Sequence, residues 1–453
     1  MMKSLLYDAI IIGFGKGGKT LAGKLAQAGR TVALIEKDPG MYGGTCINVG
    51  CIPSKSLIRS ASRIDPDAPF EEQAFRYRQA VEEKRRLTAM LRKKNYDKLA
   101  GLPNVTIYNG TARFAGPLLV EVQTANETLS LTGGQIFVNT GSVPRIPPIE
   151  GVQETAGVYT SVGLMERDDL PQRLVVIGGG YIGLEFASMY SGFGSRVTVI
   201  QDGETFLPRE DEDMAAQIRE ILEERGVEFC LGAQIRKIES GPAVAFEWQG
   251  REHRLEADAV LIATGRVPNT VELNTEAAGI ERTSRGGVKV DAYLRTTAEN
   301  VWAMGDVTGG AQHTYISLDD SRIVWSQLSG GRPYTAADRQ NVPTSVFLAT
   351  PYARVGLNER EAKAAGYTVK IAKLPAAAIP KAQVLKAPQG LLKAVIDDNT
   401  GRILGAMLLC EESFETINVI KLAMDIGADY TILRDQVFTH PTMTEALNDL
   451  FAV

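Results

Sequence analysis

The chain is poor in cysteine: only Cys46, Cys51, Cys230 and Cys410 occur in 453 residues. Four thiols are too few for a secreted disulfide scaffold. Long apolar runs are also missing, and nothing reaches the roughly 18 residues that a spanning helix needs. The opening run LLYDAIIIG is short, contains Asp8 and lacks a small-residue cleavage site. It reads as a buried strand rather than a secretory leader. A charge excess of one sign is absent too. With 49 Lys and Arg against 54 Asp and Glu, the net charge is −5. That balance offers no basic field for nucleic acid or an anionic membrane. We expect a cytoplasmic protein without nucleic-acid or membrane partners. In that compartment a persistent disulfide is more often catalytic than structural.

Glycine, in contrast, is plentiful, and its placement is informative. The run 5–12, apolar save for Asp8, reads as a parallel strand buried on both faces. GFGKGG follows, with Gly13, Gly15 and Gly18 in G-x-G-x-x-G register. Helical periodicity over 16–28 stops at Gly29, and a second strand, TVALIE, ends at Glu36. The first glycine permits the turn, the second lets backbone approach a pyrophosphate, and the third lets helix pack on strand. The helix N-terminus then faces the phosphates. Glu36, 23 positions after Gly13, is placed to accept hydrogen bonds from an adenosine ribose.

The device recurs. LVVIGGGYIG carries Gly178, Gly180 and Gly183; a helix over 181–193 and the strand RVTVI follow, then Gln201. Two such units with matched spacing predict two dinucleotides on one chain. An acidic residue at the second strand end would favour NAD over NADP. Gln201 is neutral, so relaxed NADH/NADPH use is expected. VNTGSVP (138–144) and IATGRVP (262–268) are near-repeats and read as crossovers that leave each domain. VWAMGDVTGG places Asp306 after a strand, where it can hold a flavin ribityl chain. The helix following Thr314 can stabilise negative charge on a reduced isoalloxazine. From about 341 the phosphate-binding glycines disappear and an α+β tail begins.

Cys46 and Cys51 lie in GGTCINVGCIPSK. Zinc ribbons use pairs two to four apart with a second pair elsewhere, and no second pair exists here. At the start of a helix, predicted from Ser54 onward, the thiols sit in an electropositive setting that lowers a thiol pKa. Such a pair can cycle between dithiol and disulfide. Cys230 and Cys410, in GVEFCLG and LGAMLLC, are expected to be buried structural thiols.

This signature and the two glycine units resemble the class I pyridine nucleotide–disulfide oxidoreductases, which include glutathione reductase, dihydrolipoamide dehydrogenase and mercuric reductase. The resemblance runs from Gly13 to Glu445. It implies an α/β fold with two Rossmann-like domains, for FAD and NAD(P), and a C-terminal α+β dimerisation domain. The boundaries expected are 1–148 for FAD, 149–268 for NAD(P), 269–338 for a central domain completing the FAD site, and 339–453 for the interface. It implies Cys46 as the interchange thiol and Cys51 as the charge-transfer thiol. Lys55 and Glu185 match a signature pair near the flavin. His440 and Glu445, in FTHPTMTEAL, match a His–Glu pair that the partner subunit places over the cysteines, making a homodimer with a shared site. FAD contacts are implied at Gly13, Gly15, Gly18, Glu36, Lys37, Gly44, Thr45, Lys55, Ala112, Thr140, Gly141, Asp306 and Thr314. NADH or NADPH contacts are implied at Gly178, Gly180, Tyr181, Ile182, Gly183, Gln201 and Gly265.

No cysteine follows Cys410, which sets the chain apart from reductases with a C-terminal redox pair, and no N-terminal C-x-x-C stands before Cys46. PSK in place of the PKK-like ending of glutathione reductases leans toward the dihydrolipoamide or metal-reducing branches. GFGKGGKTLA, MYGGTC, FLPRED, AMGDVTGGAQHTYISLDD and ILRDQVFTHPTMTEALNDLF resemble a narrower group of bacterial reactive-chlorine-resistance flavoproteins, described as copper(II) reductases. That group carries Glu at the position of Gln201. The resemblance implies a soft metal ion, foremost Cu(II), or an oxidised thiol as acceptor. No dedicated metal site is expected, only transient contact of Cu or Hg with Cys46 and Cys51. Dihydrolipoamide dehydrogenase, a mercuric- or glutathione-type reductase, and a non-enzymatic flavoprotein redox sensor are the alternatives.

Overall fold

In the computed structural model, which describes residues 5–332 and 334–453, the first apolar run forms the strand Leu5–Ile12. It pairs in parallel with Val32–Glu36 on one side and Thr128–Val138 on the other. Val105–Asn109 and Val301–Ala303 extend the parallel set, and Leu119–Gln123 and Thr111–Gly116 add an antiparallel edge. Leu5–Asp8 are exposed or half-buried, so only Ala9–Ile12 is buried on both faces, and its hydrophobicity has a direct cause. Ile10 and Ile12 pack into one core with Ile35 and Val138, while Ala9 and Ile11 pack into another with Leu21, Leu25 and Val324. Each fully buried isoleucine contributes about 1.5–3 kcal/mol of burial free energy.

The chain divides into two compact units. One comprises the chain through Ser56, Ala80–Arg145 and Gly265–Arg339; the other comprises Leu57–Gln79, Ile146–Thr264 and Gln340–Val453. The second unit holds a five-stranded parallel sheet in the order Val227–Leu231, Arg196–Gln201, Arg173–Ile177, Ala259–Ile262, Val158–Thr160. It repeats the strand–turn–helix device of the first, with helix Tyr181–Phe193 after Arg173–Ile177. An antiparallel meander, Gln234–Glu239, Ala243–Trp248 and Arg251–Glu256, is inserted before the last long strand. The C-terminal part is an antiparallel five-stranded sheet, from Thr344–Val346 to Val369–Pro375, covered by helix Ser413–Asp425.

The near-repeats do more than leave their sheets. Ser142–Pro144 and Arg266–Pro268 pair antiparallel with each other, Val143 opposite Val267. A second departure concerns the helix after the cysteines. It begins at Cys51, not Ser54. Pro53 falls in the first turn, where an N–H would have no intrahelical partner, so the proline does not delay the start. Among the described residues no helix is long and apolar enough to cross a membrane.

Candidate active site

The first glycine turn is a backbone cradle. Gly13 has φ +105°, and a Cβ there would lie 2.3 Å from the Asn139 carbonyl oxygen. Gly44 has φ +84°, and a Cβ there would lie 2.7 Å from the Gly15 Cα. Two bare backbones therefore meet beside the N-terminus of helix Lys16–Gln27. A concave surface of peptide groups without side chains fits a dinucleotide pyrophosphate. Gly18 N–H donates to Asn139 Oδ1 at 2.8 Å, closing the turn onto the end of strand Thr128–Val138. Glu36 ends its strand beside the turn and accepts from Phe14 N–H at 3.0 Å. Burial pushes its carboxyl upward, and backbone N–H donors oppose that shift.

Asp306 sits in the turn Gly305–Thr308 and accepts from Ser142 Oγ at 2.7 Å. Arg266 donates to Ser142 Oγ and to its carbonyl, at 2.9 and 2.6 Å. Asn139 Nδ2 donates to the Met304 carbonyl at 2.6 Å, and Gly305 N–H donates to Asp320 at 2.7 Å. Asn139, Ser142, Arg266 and Asp320 lie in recognisable sequence stretches, but no motif gives them a role. The aligned near-repeats hold a usable signal, since Ser142 and Arg266 occupy the same position of the two segments. Thr140 donates to the Asn269 carbonyl at 2.7 Å, and Gly141 follows it with open space where a Cβ would be. Lys37 and Ala112 are not drawn into this group. The Lys37 ammonium is engaged by Glu272 at 2.6 Å, and Ala112 packs in the apolar core with Ile10.

Cys46 lies in the single turn Thr45–Asn48, and Cys51 opens the next helix, so both sulfurs reach one point. Both thiols are free and hydrogen-bond each other. Cys51 Sγ lies 3.8 Å from Thr314 Oγ1, at the start of helix Thr314–Leu328. The shared hydrogen bond splits the two acidities. It holds Cys46 down to about 6, helped by Thr314, Lys19 and Lys55 against burial. The same bond, with burial, pushes Cys51 far up. The pair thus releases its first proton near neutrality and withholds the second. Among the described residues no group of three or more His, Cys, Asp or Glu is arranged to hold a metal ion.

The second glycine turn, in the second unit, differs in detail. A Cβ on Gly183 would lie 2.0 Å from the Gly178 carbonyl, so helix and strand touch there. Nothing lies within 4 Å of a Cβ on Gly180, and Ile182 is 37% exposed, leaving the helix N-terminus open. The Tyr181 hydroxyl donates to Glu210, which also accepts from Tyr352. Gln201 Nε2 donates to the carbonyls of Gly203 and Thr205 at 2.8 and 3.0 Å. Its donors are used, so the side chain offers a neutral acceptor. The Michaelis constants for NADH and NADPH should differ by less than about a hundredfold. Gln201→Glu should raise that for NADPH at least about tenfold by repelling its 2′-phosphate; steady-state kinetics with both nucleotides check this. Gly265 belongs to the first unit rather than with the other glycines of this set.

Lys55 lies on helix Cys51–Ala61 in the first unit. Glu185 lies buried in helix Tyr181–Phe193 of the second and accepts from Phe347 N–H at 2.9 Å. His440 Nδ1 meets Glu445 Oε2 at 2.8 Å, and Thr442 N–H donates to Oε1 at 3.1 Å. The imidazole holds the Glu445 carboxyl below its usual range. With Nδ1 engaged and the side chain 69% exposed, Nε2 is the nitrogen left for proton exchange. Cys230 ends up buried in strand Val227–Leu231, and Cys410 is buried just after Ile403–Leu409. Burial pushes the Cys410 thiol up to about 12, which makes it inert at neutral pH.

Two nucleotide cradles, a dithiol and a His–Glu pair define a class, and comparison with known proteins agrees. Residues 7–321 match the pyridine nucleotide–disulphide oxidoreductase family, and residues 342–451 match that family's dimerisation domain. The chain belongs to the pyridine nucleotide–disulfide oxidoreductases. It is an oxidoreductase whose cofactors are FAD and NADH or NADPH. It is 48% identical over 447 residues to the probable pyridine nucleotide–disulfide oxidoreductase RclA of Escherichia coli, covering 99% of each chain. A mercuric reductase of Staphylococcus aureus is 33% identical over 451 residues, covering 97% of this chain and 81% of that protein. Among solved structures, a Cu(II) complex of the HOCl-induced flavoprotein disulfide reductase RclA from Escherichia coli superposes with a TM-score of 0.93. It is 47% identical, and the match covers 100% of this chain and 99% of that one.

Proposed function

We propose that this flavoprotein disulfide reductase passes electrons from NAD(P)H through Cys46 and Cys51 to a soft metal ion, foremost Cu(II), or to an oxidised thiol, in defence against reactive chlorine. The observation that carries the reading is the placement of the dithiol: two free thiols at the start of helix Cys51–Ala61, with Thr314 Oγ1 3.8 Å from the Cys51 sulfur and the preceding Gly44 packed on Gly15 of the first cradle. The whole-length relationship to RclA supports the choice of acceptor, since a structure of that protein is a Cu(II) complex. In this reading 1–148 and 269–338 hold FAD, 149–268 hold the nicotinamide nucleotide, and 339–453 pair the subunits. The reaction runs in the cytoplasm.

Bound FAD would carry two electrons from NAD(P)H to the cysteine pair. The chain's own groups do the rest. The glycine cradles, with Glu36 and Asp306, bind and orient the nucleotides, and Lys55 adds positive charge toward the Cys46 sulfur. Thr314 lies against the Cys51 sulfur, and Cys46, the more acidic thiol, meets the acceptor. Thiolate sulfur is a soft donor suited to Cu(I), so the product ion is stabilised as it forms. With an organic disulfide, Cys46 attacks one sulfur and the other leaves as a thiol. A His440 contributed across the dimer's two-fold axis, oriented by Glu445, supplies that proton through Nε2.

The test is NADH and NADPH oxidation against Cu(II), Hg(II), lipoamide, glutathione disulfide and quinones. Cu(II) should exceed lipoamide and glutathione disulfide in kcat/KM by at least about tenfold, a transition-state preference of 1.4 kcal/mol. Fast, NAD-specific turnover of dihydrolipoamide with slow copper reduction would replace this reading by a dihydrolipoamide dehydrogenase.

A further inference from the structure

Helix Lys16–Gln27 carries a cation that the nucleotide cradle does not require. Lys19 reaches back from its second turn, where its Nζ donates to the Gly43 carbonyl at 3.4 Å and to Asn95 Oδ1. Asn95 is fixed in turn, because its Nδ2 donates to the Leu91 carbonyl at 2.7 Å within helix Phe70–Ala100. Gly43 stands three residues before Cys46, and the turn between is stapled internally. Asn48, buried, donates to the carbonyls of Tyr42 and Gly44 at 3.0 and 2.9 Å, and accepts from Arg92 Nε at 2.8 Å. Thus Lys19 and Asn95 form one staple on the redox turn, and Asn48 and Arg92 form a second. Both end on the same long helix.

We propose that Lys19 is a positioning residue for the disulfide reductase reaction, pinning the turn that carries Cys46 and presenting a fixed positive charge to the Cys46 sulfur. The inference rests on the reading of Cys46 as the thiol that meets the acceptor. Reduction of a Cys46–Cys51 disulfide by NAD(P)H breaks the S–S bond, oxidises the nicotinamide to NAD(P)⁺, and leaves one thiol and one thiolate. The proton of the transferred hydride stays on the thiol. The thiolate needs a counter-charge in a half-buried site, because burial disfavours the charged form. Two lysines act on Cys46, and Lys19 acts more strongly than Lys55. The coupling is reciprocal. Burial pushes the Lys19 ammonium down to about 8, Lys16 and Lys98 push the same way, and Cys46 opposes them. A lysine held half-buried among other lysines keeps its proton best when a thiolate lies beside it. The ammonium and the Cys46 anion therefore stabilise each other.

The test uses the FAD-loaded dimer, reduced and then challenged with iodoacetamide at pH 5, with alkylation of Cys46 followed by peptide mass spectrometry. That pH lies below the Cys46 thiol's pKa of about 6, where the thiolate fraction falls in proportion to any rise in that pKa. Lys19→Gln keeps a donor for the Gly43 carbonyl but loses the charge. It should slow Cys46 alkylation about fivefold to tenfold, and Lys19→Arg should restore it. Lys19→Met should slow it at least as much. Should Lys19→Met fail to retain FAD, Asn95→Ala, which frees the ammonium without removing it, should still slow alkylation about twofold to fivefold. Equal rates in wild type, Lys19→Gln and Asn95→Ala overturn the inference. Acceptor reduction by Cys46→Ser separates this outcome from failure of the underlying reading. If that variant is inactive while the alkylation rates are equal, the role of Lys19 falls and that of Cys46 stands. If it remains active, the acceptor role of Cys46 falls whatever the alkylation rates.

Discussion

Cys46→Ser is expected to lower reduction of Cu(II) and of organic disulfides by more than about a thousandfold, because the nucleophile is removed rather than weakened. FAD content and NAD(P)H-dependent bleaching of the flavin should persist, since neither nucleotide cradle includes the Cys46 sulfur. The comparison that matters is between the half-reactions. Stopped-flow mixing with NADPH should give near-normal reduction, and subsequent mixing with Cu(II) should give almost no reoxidation through the thiols. The hydroxyl of serine has neither the acidity nor the softness of the thiol. Copper reduction at wild-type rate in this variant would place the exit of electrons elsewhere and sink the relay.

Gly13→Ala is expected to yield a colourless protein. Alanine at φ +105° is strained by roughly 1–3 kcal/mol. Its methyl would also lie 2.3 Å from the Asn139 carbonyl oxygen, which sits on backbone and cannot swing aside. The turn would have to open, and with it the contact of Asn139 with Gly18, Met304 and Ser317. The readout is visible flavin absorbance per mole of purified protein, supported by FAD titration of the apoprotein. Stoichiometric, tightly held FAD in Gly13→Ala would mean that the cradle is not where the pyrophosphate lies.

Much of this organisation is local in the chain and could be read there. Parallel strands buried on both faces need unbroken apolar runs, and 9–12 and 174–177 supply them, whereas 5–8, with Asp8, stay exposed or half-buried. The turns that approach phosphate need glycine, so their positions mark the two nucleotide sites. The cysteine spacing and its glycine- and proline-flanked setting announced a redox pair, and the family resemblance carried the roles within it. The start of the helix at Cys51 was less legible, because Pro53 looks like a boundary until one notes that a first-turn proline sacrifices no hydrogen bond.

What could not be read in the chain is long-range in sequence. Asn139 holds partners 121, 165 and 178 residues away, and Ser142 meets Asp306 across 164. No periodicity or spacing rule links such positions. They meet because adjacent parallel strands deliver their carboxyl ends to one edge of a sheet. The division of acidity between Cys46 and Cys51 is of the same kind. Two thiols in a motif are chemically alike; a shared hydrogen bond, the Thr314 helix start and the Lys19 ammonium make them unlike. A side chain's type is written in the sequence, but its charge state depends on burial and on neighbours, and the fold supplies both.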